Sequence, residues 1–133
     1  MVYLPDTNII SAILRKNPVV RKKWETALKD GHSIVISPVV EYEIRRGLLK
    51  KDAQRQTEFF DQLSAVHAGP NLIREDWRRA AELWVQRQAI GRPTGDSDIL
   101  IAAYALRLGA TIVTDNEKDF EGLSLMIENW LTD

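Results

Sequence analysis

The chain has 133 residues, of which 44% are hydrophobic and 28% are charged. This length and composition suit one globular domain and exclude disordered, collagen-like and coiled-coil proteins. Lys and Arg number 18 against 19 Asp and Glu, which excludes a domain that is basic as a whole but allows a basic stripe on one face. The chain has no Cys and two His, which excludes disulfides, thiol nucleophiles and zinc held by Cys. Any catalysis by this chain therefore has to depend on carboxylates.

Short apolar runs alternate along the chain with longer segments of helical periodicity. In chain order, the predicted elements are strand 2–4, helix 8–15, helix 19–29, strand 33–36, helix 37–49, helix 53–63, helix 74–90, helix 97–108, strand 111–113 and strand 123–127. Strands separated by helices are typical of a parallel sheet covered on both sides. The sequence therefore predicts an α/β fold, with a single domain over residues 1–133. No run of residues is apolar enough for a membrane span, and a reducing, cytoplasmic compartment is expected.

Three of the four Trp residues are predicted to pack in the core rather than to stack on bases. Trp77 and Trp84 lie on one apolar stripe of helix 74–90, at i, i+3, i+4 spacing. Trp24 also fits the core stripe of its helix. For Trp130, both a core position and an interface position stay open.

Two acids follow predicted strands, where open α/β sheets bind their ligands. Asp6 comes after the first strand, and Asp115 comes after strand 111–113. Asp6 is also suited to cap the helix that starts near Asn8. Capping and ligand binding are therefore both open for Asp6.

One of the two acids in helix 37–49 lies on the side of the helix that faces the core. Glu43 falls inside the apolar stripe, whereas Glu41 points away and can pair with Arg45 at i+4. A carboxylate on an apolar stripe is costly unless it is paired, protonated or bound to a metal. Glu43 is thus a candidate site residue, with a buried pair to a nearby Arg as the alternative.

Two further acids stand at the start of helix 97–108. Asp96 is predicted to be the N-cap of this helix, which is a sufficient structural reason for one Asp. Asp98 shares its face with Ile101, Ala102 and Ala105, so its side chain is expected to point inward. Asp98 is therefore the functional candidate of the two.

The segment 114–121 has four acids in eight residues, and a solvated turn would account for most of them. Carboxylates from several strand ends that meet at one site would repel each other unless a cation neutralises them. Oxygen ligands without His or Cys favour Mg²⁺ or Mn²⁺, and such ions activate water and bind phosphates. Basic residues that could hold a phosphodiester backbone, or simply form solvated helix faces, are Arg21, Lys22, Lys23, Arg45, Arg46, Lys50 and Lys51.

Four sequence blocks carry a resemblance to a known family. They are LPDTN at 4–8, SPVVEYEIRRG at 37–47, GRPTGDSDILIAA at 91–103 and GATIVTDNEKDF at 109–120. The first block alone is a weak signal, but the four blocks in this order are specific and span essentially the whole chain. In these blocks the chain resembles the PIN-domain ribonucleases, in particular the VapC-type toxins of prokaryotic toxin–antitoxin pairs.

The resemblance implies a Rossmann-like three-layer fold with a parallel sheet of about five strands. It also implies an endoribonuclease that depends on Mg²⁺, with Mn²⁺ as an alternative, and that leaves 5′-phosphate and 3′-hydroxyl ends. Asp6, Glu43 and Asp98 match three acids of the family pattern. Where many PIN domains have a fourth acid this chain has Asn116, which is flanked by Asp115 and Asp119. Asp119 is taken as the fourth acid, with Asp115 as the alternative, and whether one or two metal ions bind stays open.

The resemblance also implies supporting residues. Thr7 is expected to hydrogen-bond a carboxylate or a phosphate oxygen, and Asn8 to hold Asp6 in place. Asp115 and Asn116 are the polar neighbours of the fourth acid.

The partners implied by the resemblance are an RNA substrate, a small antitoxin protein that covers the acidic groove, and a second copy of the chain in a homodimer. Candidate contacts for the antitoxin, each of which core packing would also explain, are Trp24, Phe59, Phe60 and Leu63.

Two other functions stay open at this point. A phosphatase of the haloacid dehalogenase type also begins with an Asp at a strand end, but it needs a second Asp where this chain has Asn8. A binding module for RNA or protein is the other alternative, with a site made weak or inert because Asn116 replaces an acid. Mg²⁺ uptake without cleavage would favour the binding module.

Overall fold

The computed structural model describes residues 1–132, and the predicted helices and strands occur in it in the predicted order. In chain order the elements are β1 (Val2–Pro5), α1 (Thr7–Leu14), α2 (Pro18–Lys29), β2 (Ser33–Ile34), α3 (Pro38–Lys51), α4 (Gln54–His67), α5 (Arg74–Ala89), α6 (Asp96–Leu108), β3 (Thr111–Val113), a 3-10 turn (Glu117–Asp119) and β4 (Met126–Glu128).

The strands form one parallel sheet in the order β2-β1-β3-β4. β2 lies on one side of β1, and β3 and β4 lie on the other side. The connections from β1 therefore run in opposite directions across the sheet, and the reversal falls between the neighbouring strands β1 and β3. This is the topological switch point, where open α/β sheets bind ligands. Pro5, at the end of β1, pairs with Val113, at the end of β3, so the residues that follow these two strands are neighbours.

The described residues contain four strands, one fewer than the approximate number that the resemblance implies. The segment after α4 only touches the edge of the sheet, through an isolated parallel bridge between Ile36 and Ala68. Pro70 follows two residues later and has no N–H to donate, so this segment does not extend the ladder.

The core lies between the sheet and the helices on its two faces. Leu4 and Ile112 are completely buried in the central strands, as is Tyr104 of α6. Trp24 and Trp130 are both buried, and their rings meet edge to face at 6.4 Å between centroids. The packing predicted for Trp24 is confirmed, and Trp130 is a core residue. Within residues 1–132, no helix has the length and hydropathy to cross a membrane.

The predicted core face of α5 is wrong. Trp77 and Trp84 are 54% and 44% exposed, because the helix turns another face inward. That face has two buried charged residues: Asp76 accepts a hydrogen bond from Arg107 Nε at 2.7 Å, and Arg87 donates three hydrogen bonds. These polar contacts set the rotation of the helix, which apolar periodicity alone cannot detect.

The predicted N-cap of α6 is also wrong. Gly95 has the extended backbone of a cap residue, with φ −64° and ψ 156°, and Asp96 is already the first helical residue. Its carboxylate is exposed and makes no capping hydrogen bond. Asp96 therefore only adds negative charge to the first turn of the helix.

Candidate active site

Asp6 lies at the switch point, between the end of β1 and the start of α1. Its backbone N–H donates to the carbonyl of Val113 at 2.9 Å. Its side chain is 6% exposed; Oδ1 accepts from the N–H of Ile9 at 3.2 Å, and Oδ2 accepts from the hydroxyl of Thr114. Both roles considered for Asp6 are therefore compatible, because the carboxylate caps α1 while it lies at the ligand-binding edge of the sheet.

Thr114 is a supporting residue that the sequence analysis missed. It is completely buried, and its hydroxyl donates to Asp6 while accepting from the N–H of Asn116 at 2.9 Å. It thus joins Asp6 to the loop that follows β3. The only signal in the sequence is a Thr directly after a buried strand. Its partner Asp6, which follows β1, comes within reach only when β1 and β3 are paired.

Glu43 is held by a hydrogen bond from α1 to α3. Thr7 Oγ1 donates to Glu43 Oε1 at 2.8 Å, which is the carboxylate contact expected of Thr7. The nearest cation, Arg46 Nη2, is 3.7 Å from Oε2 and belongs to a mostly exposed side chain. A long, solvated pair of this kind stabilises little, so the alternative of a buried ion pair does not describe Glu43. Glu41 pairs with Arg45 at 3.0 Å, as predicted.

Asp98 and Asp6 have raised pKa values. Burial raises the pKa of Asp98 to about 7, helped by the charge and a hydrogen bond of Asp119 and by the charges of Asp6 and Glu43. Burial also raises the pKa of Asp6 to about 6, against the hydrogen bonds from Thr114 and Ile9 that lower it. The Asp98 carboxyl is thus affected by each of the other three predicted acids, so the fold brings all four into one electrostatic site.

The loop after β3 supplies Asp119 and two neighbours. The side-chain amide of Asn116 donates to Asp119 Oδ2, so Asn116 orients the acid rather than replacing it. The side-chain amide of Asn8 donates to Asp115 Oδ1 at 2.9 Å. The side chain of Asn8 therefore holds the loop, whereas its backbone hydrogen-bonds the Asp6 carboxylate and lowers the pKa of Asp6.

The donor set fits a hard divalent cation. Across residues 1–132, no three Asp, Glu or His side chains already stand together as a ready-made set of metal ligands. The candidate donors are all oxygens, which suit Mg²⁺ or Mn²⁺. Burial is the main cause of the raised pKa values of Asp6 and Asp98, and at Asp98 the charges of Asp119, Asp6 and Glu43 add repulsion that no cation offsets. A bound cation would remove this repulsion.

The PIN domain family matches residues 3–124. The chain belongs to the PIN domain family. This PIN domain is 29% identical to Ribonuclease VapC2 of Rickettsia felis and 25% identical to Ribonuclease VapC1 of Haemophilus influenzae, with 98% of each chain covered in both comparisons.

Solved structures agree with this assignment. The PIN domain superposes with a TM-score of 0.88 and 28% identity on a chain of VapBC2 from Rickettsia felis bound to a promoter DNA fragment, covering 98% of this chain and 99% of that one. VapBC-1 from nontypeable Haemophilus influenzae has the same fold, with a TM-score of 0.84 at 23% identity and 99% and 100% coverage. The predicted resemblance to VapC-type proteins is confirmed.

A cavity of about 220 Å³ adjoins the acidic site of the PIN domain on the side of Glu43. Thr7 and Glu43 line one part of it, and the basic residues Arg15 and Lys51 line another. Among residues 1–132, neither of these two cations forms an ion pair with a carboxylate. Of the basic residues singled out in the sequence, only Lys51 lines this cavity, and Arg15 was missed.

Proposed function

We propose that this PIN domain is an endoribonuclease toxin that depends on Mg²⁺, or on Mn²⁺ in its place. The observation that carries the proposal is that Asp6 is fixed at the switch point and that its charge, with those of Asp119 and Glu43, acts on Asp98. The pKa of Asp98 is raised first by burial and then by these acids. Carboxylate oxygens without His or Cys suit a divalent metal ion and phosphate chemistry. The relatives named Ribonuclease VapC support RNA as the substrate.

In this proposal Asp6 and Asp98 hold the cation, Glu43 completes or orients its shell, and Asp119 holds a second ion or a water. When bound, the cation would supply positive charge for the phosphoryl oxygens and make the attacking water more acidic. The chain's own residues set the geometry beforehand. Thr114 and the N–H of Ile9 fix the two oxygens of Asp6, and Thr7 fixes Glu43, so little reorganisation is needed when substrate arrives.

Removal of the metal tests the proposal. We expect the purified chain to cut mixed RNA in the presence of Mg²⁺ and to leave 5′-phosphate and 3′-hydroxyl ends, and we expect EDTA to abolish cleavage until Mg²⁺ is restored. Cleavage that survives EDTA would contradict a metal-dependent mechanism. Binding of Mg²⁺ or RNA without any new RNA ends would identify the chain as a binding module instead.

We propose that Arg15 and Lys51 bind the RNA backbone beside the scissile phosphate. Both are exposed, unpaired among the described residues and on the wall of the cavity next to Glu43. The Lys51→Ala variant is expected to raise the KM for RNA by about threefold to tenfold. The slope of the logarithm of the RNA-binding constant against the logarithm of the salt concentration should become shallower by about 1.

The matched control for Lys51→Ala is Lys50→Ala, which removes the same charge from a neighbouring exposed position that does not line the cavity. Steady-state kinetics at several salt concentrations measure the effect. Equal losses in the two variants would mean that only the overall charge of the helix matters, and would contradict a phosphate contact at Lys51.

A protein antitoxin is the second proposed partner. Structures similar in fold include VapBC complexes, and this chain has an apolar groove of about 320 Å³ between α1, α2 and α4. Trp24, Phe59 and Leu63 line the groove, whereas Phe60 is completely buried and serves the core. We propose that an apolar segment of the antitoxin fills this groove. RNA and antitoxin together imply a cytoplasmic location.

We further propose that α5 and α6 pair with a second copy of the chain. Trp77, Trp84 and Val85 of α5 and Leu100 of α6 line an apolar groove of about 450 Å³. Half-exposed indole rings on one face are typical of protein interfaces rather than of free surface. A two-fold axis through this patch would pair it with itself, and Asp96 at its margin precedes Asp98 by two residues.

The Trp84→Glu variant is expected to convert the dimer to a monomer, since the two-fold axis would place two buried charges in one interface. Light scattering after gel filtration at micromolar concentration measures the mass. Val66→Glu on α4 is the control, because Val66 is 76% exposed and does not line this groove. A monomeric parent protein, or an unchanged dimer in the Trp84→Glu variant, would contradict the pairing.

A further inference from the structure

Arg87 is a buried cation without an acidic partner in the part of the chain that the structure describes. Its side chain is 3% exposed on the inner face of α5, and no ion pair to a carboxylate is formed there. Burial of an unpaired charge is costly. The hydrogen bonds of the guanidinium must therefore offset that cost.

The guanidinium links two segments that carry predicted site acids. Nε donates to Thr94 Oγ1 at 2.7 Å. Thr94 lies two residues before the start of α6 and four residues before Asp98. Nη2 donates to the carbonyl of Lys118 at 3.0 Å, and Nη1 donates to the carbonyl of Glu121. These two carbonyls belong to the chain on either side of Asp119 and Phe120.

A planar guanidinium is suited to this contact, because its donors leave in fixed directions and can satisfy several oxygens at once. The carbonyls at the end of a short 3-10 turn have few partners within the turn itself. Without Arg87 the turn would depend on the Asn116–Asp119 contact and on two backbone hydrogen bonds, from Asp119 to Asn116 at 3.1 Å and from Phe120 to Glu117 at 3.1 Å.

We propose that Arg87 is a positioning residue that holds Asp119 at its distance from Asp98 before any metal or RNA binds. The inference rests on the proposed function for the role of these two acids. The three hydrogen bonds of Arg87 go to neither Asp98 nor Asp119. It acts through Thr94 on one segment and through the carbonyls of Lys118 and Glu121 on the other.

The first test measures Mg²⁺ affinity without RNA, by calorimetry on the folded protein. The Arg87→Lys variant keeps the charge but loses the forked donors, so we expect the Kd for Mg²⁺ to rise by about tenfold. Arg92→Ala is the matched control, because Arg92 is exposed and binds the side chain of Glu121 in the same loop at 3.1 Å. Its Kd should stay within about twofold of the parent value, since exposed pairs contribute little.

A double-mutant cycle separates positioning from a general loss of stability. If Arg87 acts by placing Asp119, then Arg87→Lys should cause no further loss of Mg²⁺ affinity in the Asp119→Asn background. Additive losses in the double variant, or an unchanged Kd in Arg87→Lys, would overturn the proposal.

Hydrogen exchange of the unaltered protein keeps the proposal testable if Arg87→Lys does not fold. The amides of Asp119 and Phe120 should already be protected without Mg²⁺, relative to an unstructured peptide. Exchange at the unstructured rate in the metal-free protein would overturn the proposal. None of these measurements uses RNA, so a chain that binds Mg²⁺ as expected but cleaves nothing would contradict the proposed nuclease activity and leave the positioning role intact.

Discussion

Asp98→Asn is expected to lower the rate of RNA cleavage at saturating RNA and Mg²⁺ by on the order of 10³-fold, since a metal ligand supports several kcal/mol of transition-state stabilisation. The amide keeps the shape of the side chain but cannot carry its negative charge. Asp6→Asn should have a similar effect while leaving α1 capped, because Asn caps helices as well as Asp does. Single-turnover cleavage of a labelled RNA measures the rate.

The control for this prediction lies two residues away on the same helix. Asp96→Asn makes the same chemical change at an exposed position without a capping contact, and its cleavage rate should stay close to that of the parent. An Asp98→Asn variant that cuts RNA within about tenfold of the parent rate would contradict a metal-binding role for Asp98.

Asp98→Asn is also expected to stabilise the metal-free protein at pH 8. The free energy of unfolding should increase by about 2 kcal/mol. Burial and the neighbouring acids raise the pKa of Asp98 to about 7 in the folded protein, whereas the unfolded chain has a carboxyl pKa near its ordinary value. Between about pH 4 and pH 7 the folded state therefore binds more protons than the unfolded state, so stability falls as the pH rises through this range. The amide has no proton to lose and avoids this cost.

Denaturant unfolding in EDTA at pH 5 and pH 8 checks this prediction. The advantage of Asp98→Asn should be small at pH 5 and large at pH 8, and excess Mg²⁺ at pH 8 should stabilise the parent much more than the variant. An advantage that is equal at the two pH values would mean that the pKa of Asp98 is not raised in the folded protein. Asp96→Asn again serves as the control, because its side chain is exposed.

Local periodicity predicted much of the site. Asp6 follows a strand, while Glu43 and Asp98 lie on helix faces that point inward, and these positions depend only on residues within a few places along the chain. The structure brings these three acids and Asp119 into one electrostatic site. Their catalytic roles stay predictions.

The residues that sequence reasoning missed or assigned wrongly depend on contacts between distant segments. Thr114 supports the site by its hydrogen bond to Asp6, which is 108 positions away in the sequence. Asn8 hydrogen-bonds Asp115, which is 107 positions away. Trp77 and Trp84 are exposed because α5 buries Asp76 and Arg87 instead. The spacing of apolar residues cannot predict that a charged residue is buried, because its partners lie in distant segments.

The sequence by itself determined that carboxylates must perform any chemistry, that the fold is α/β, and which acids end strands or face the core, because these properties are local. Only the tertiary structure decided which neutral and basic side chains hold those acids. Hydrogen bonds such as those of Thr114 and Arg87 form when strand pairing and helix rotation bring remote residues together.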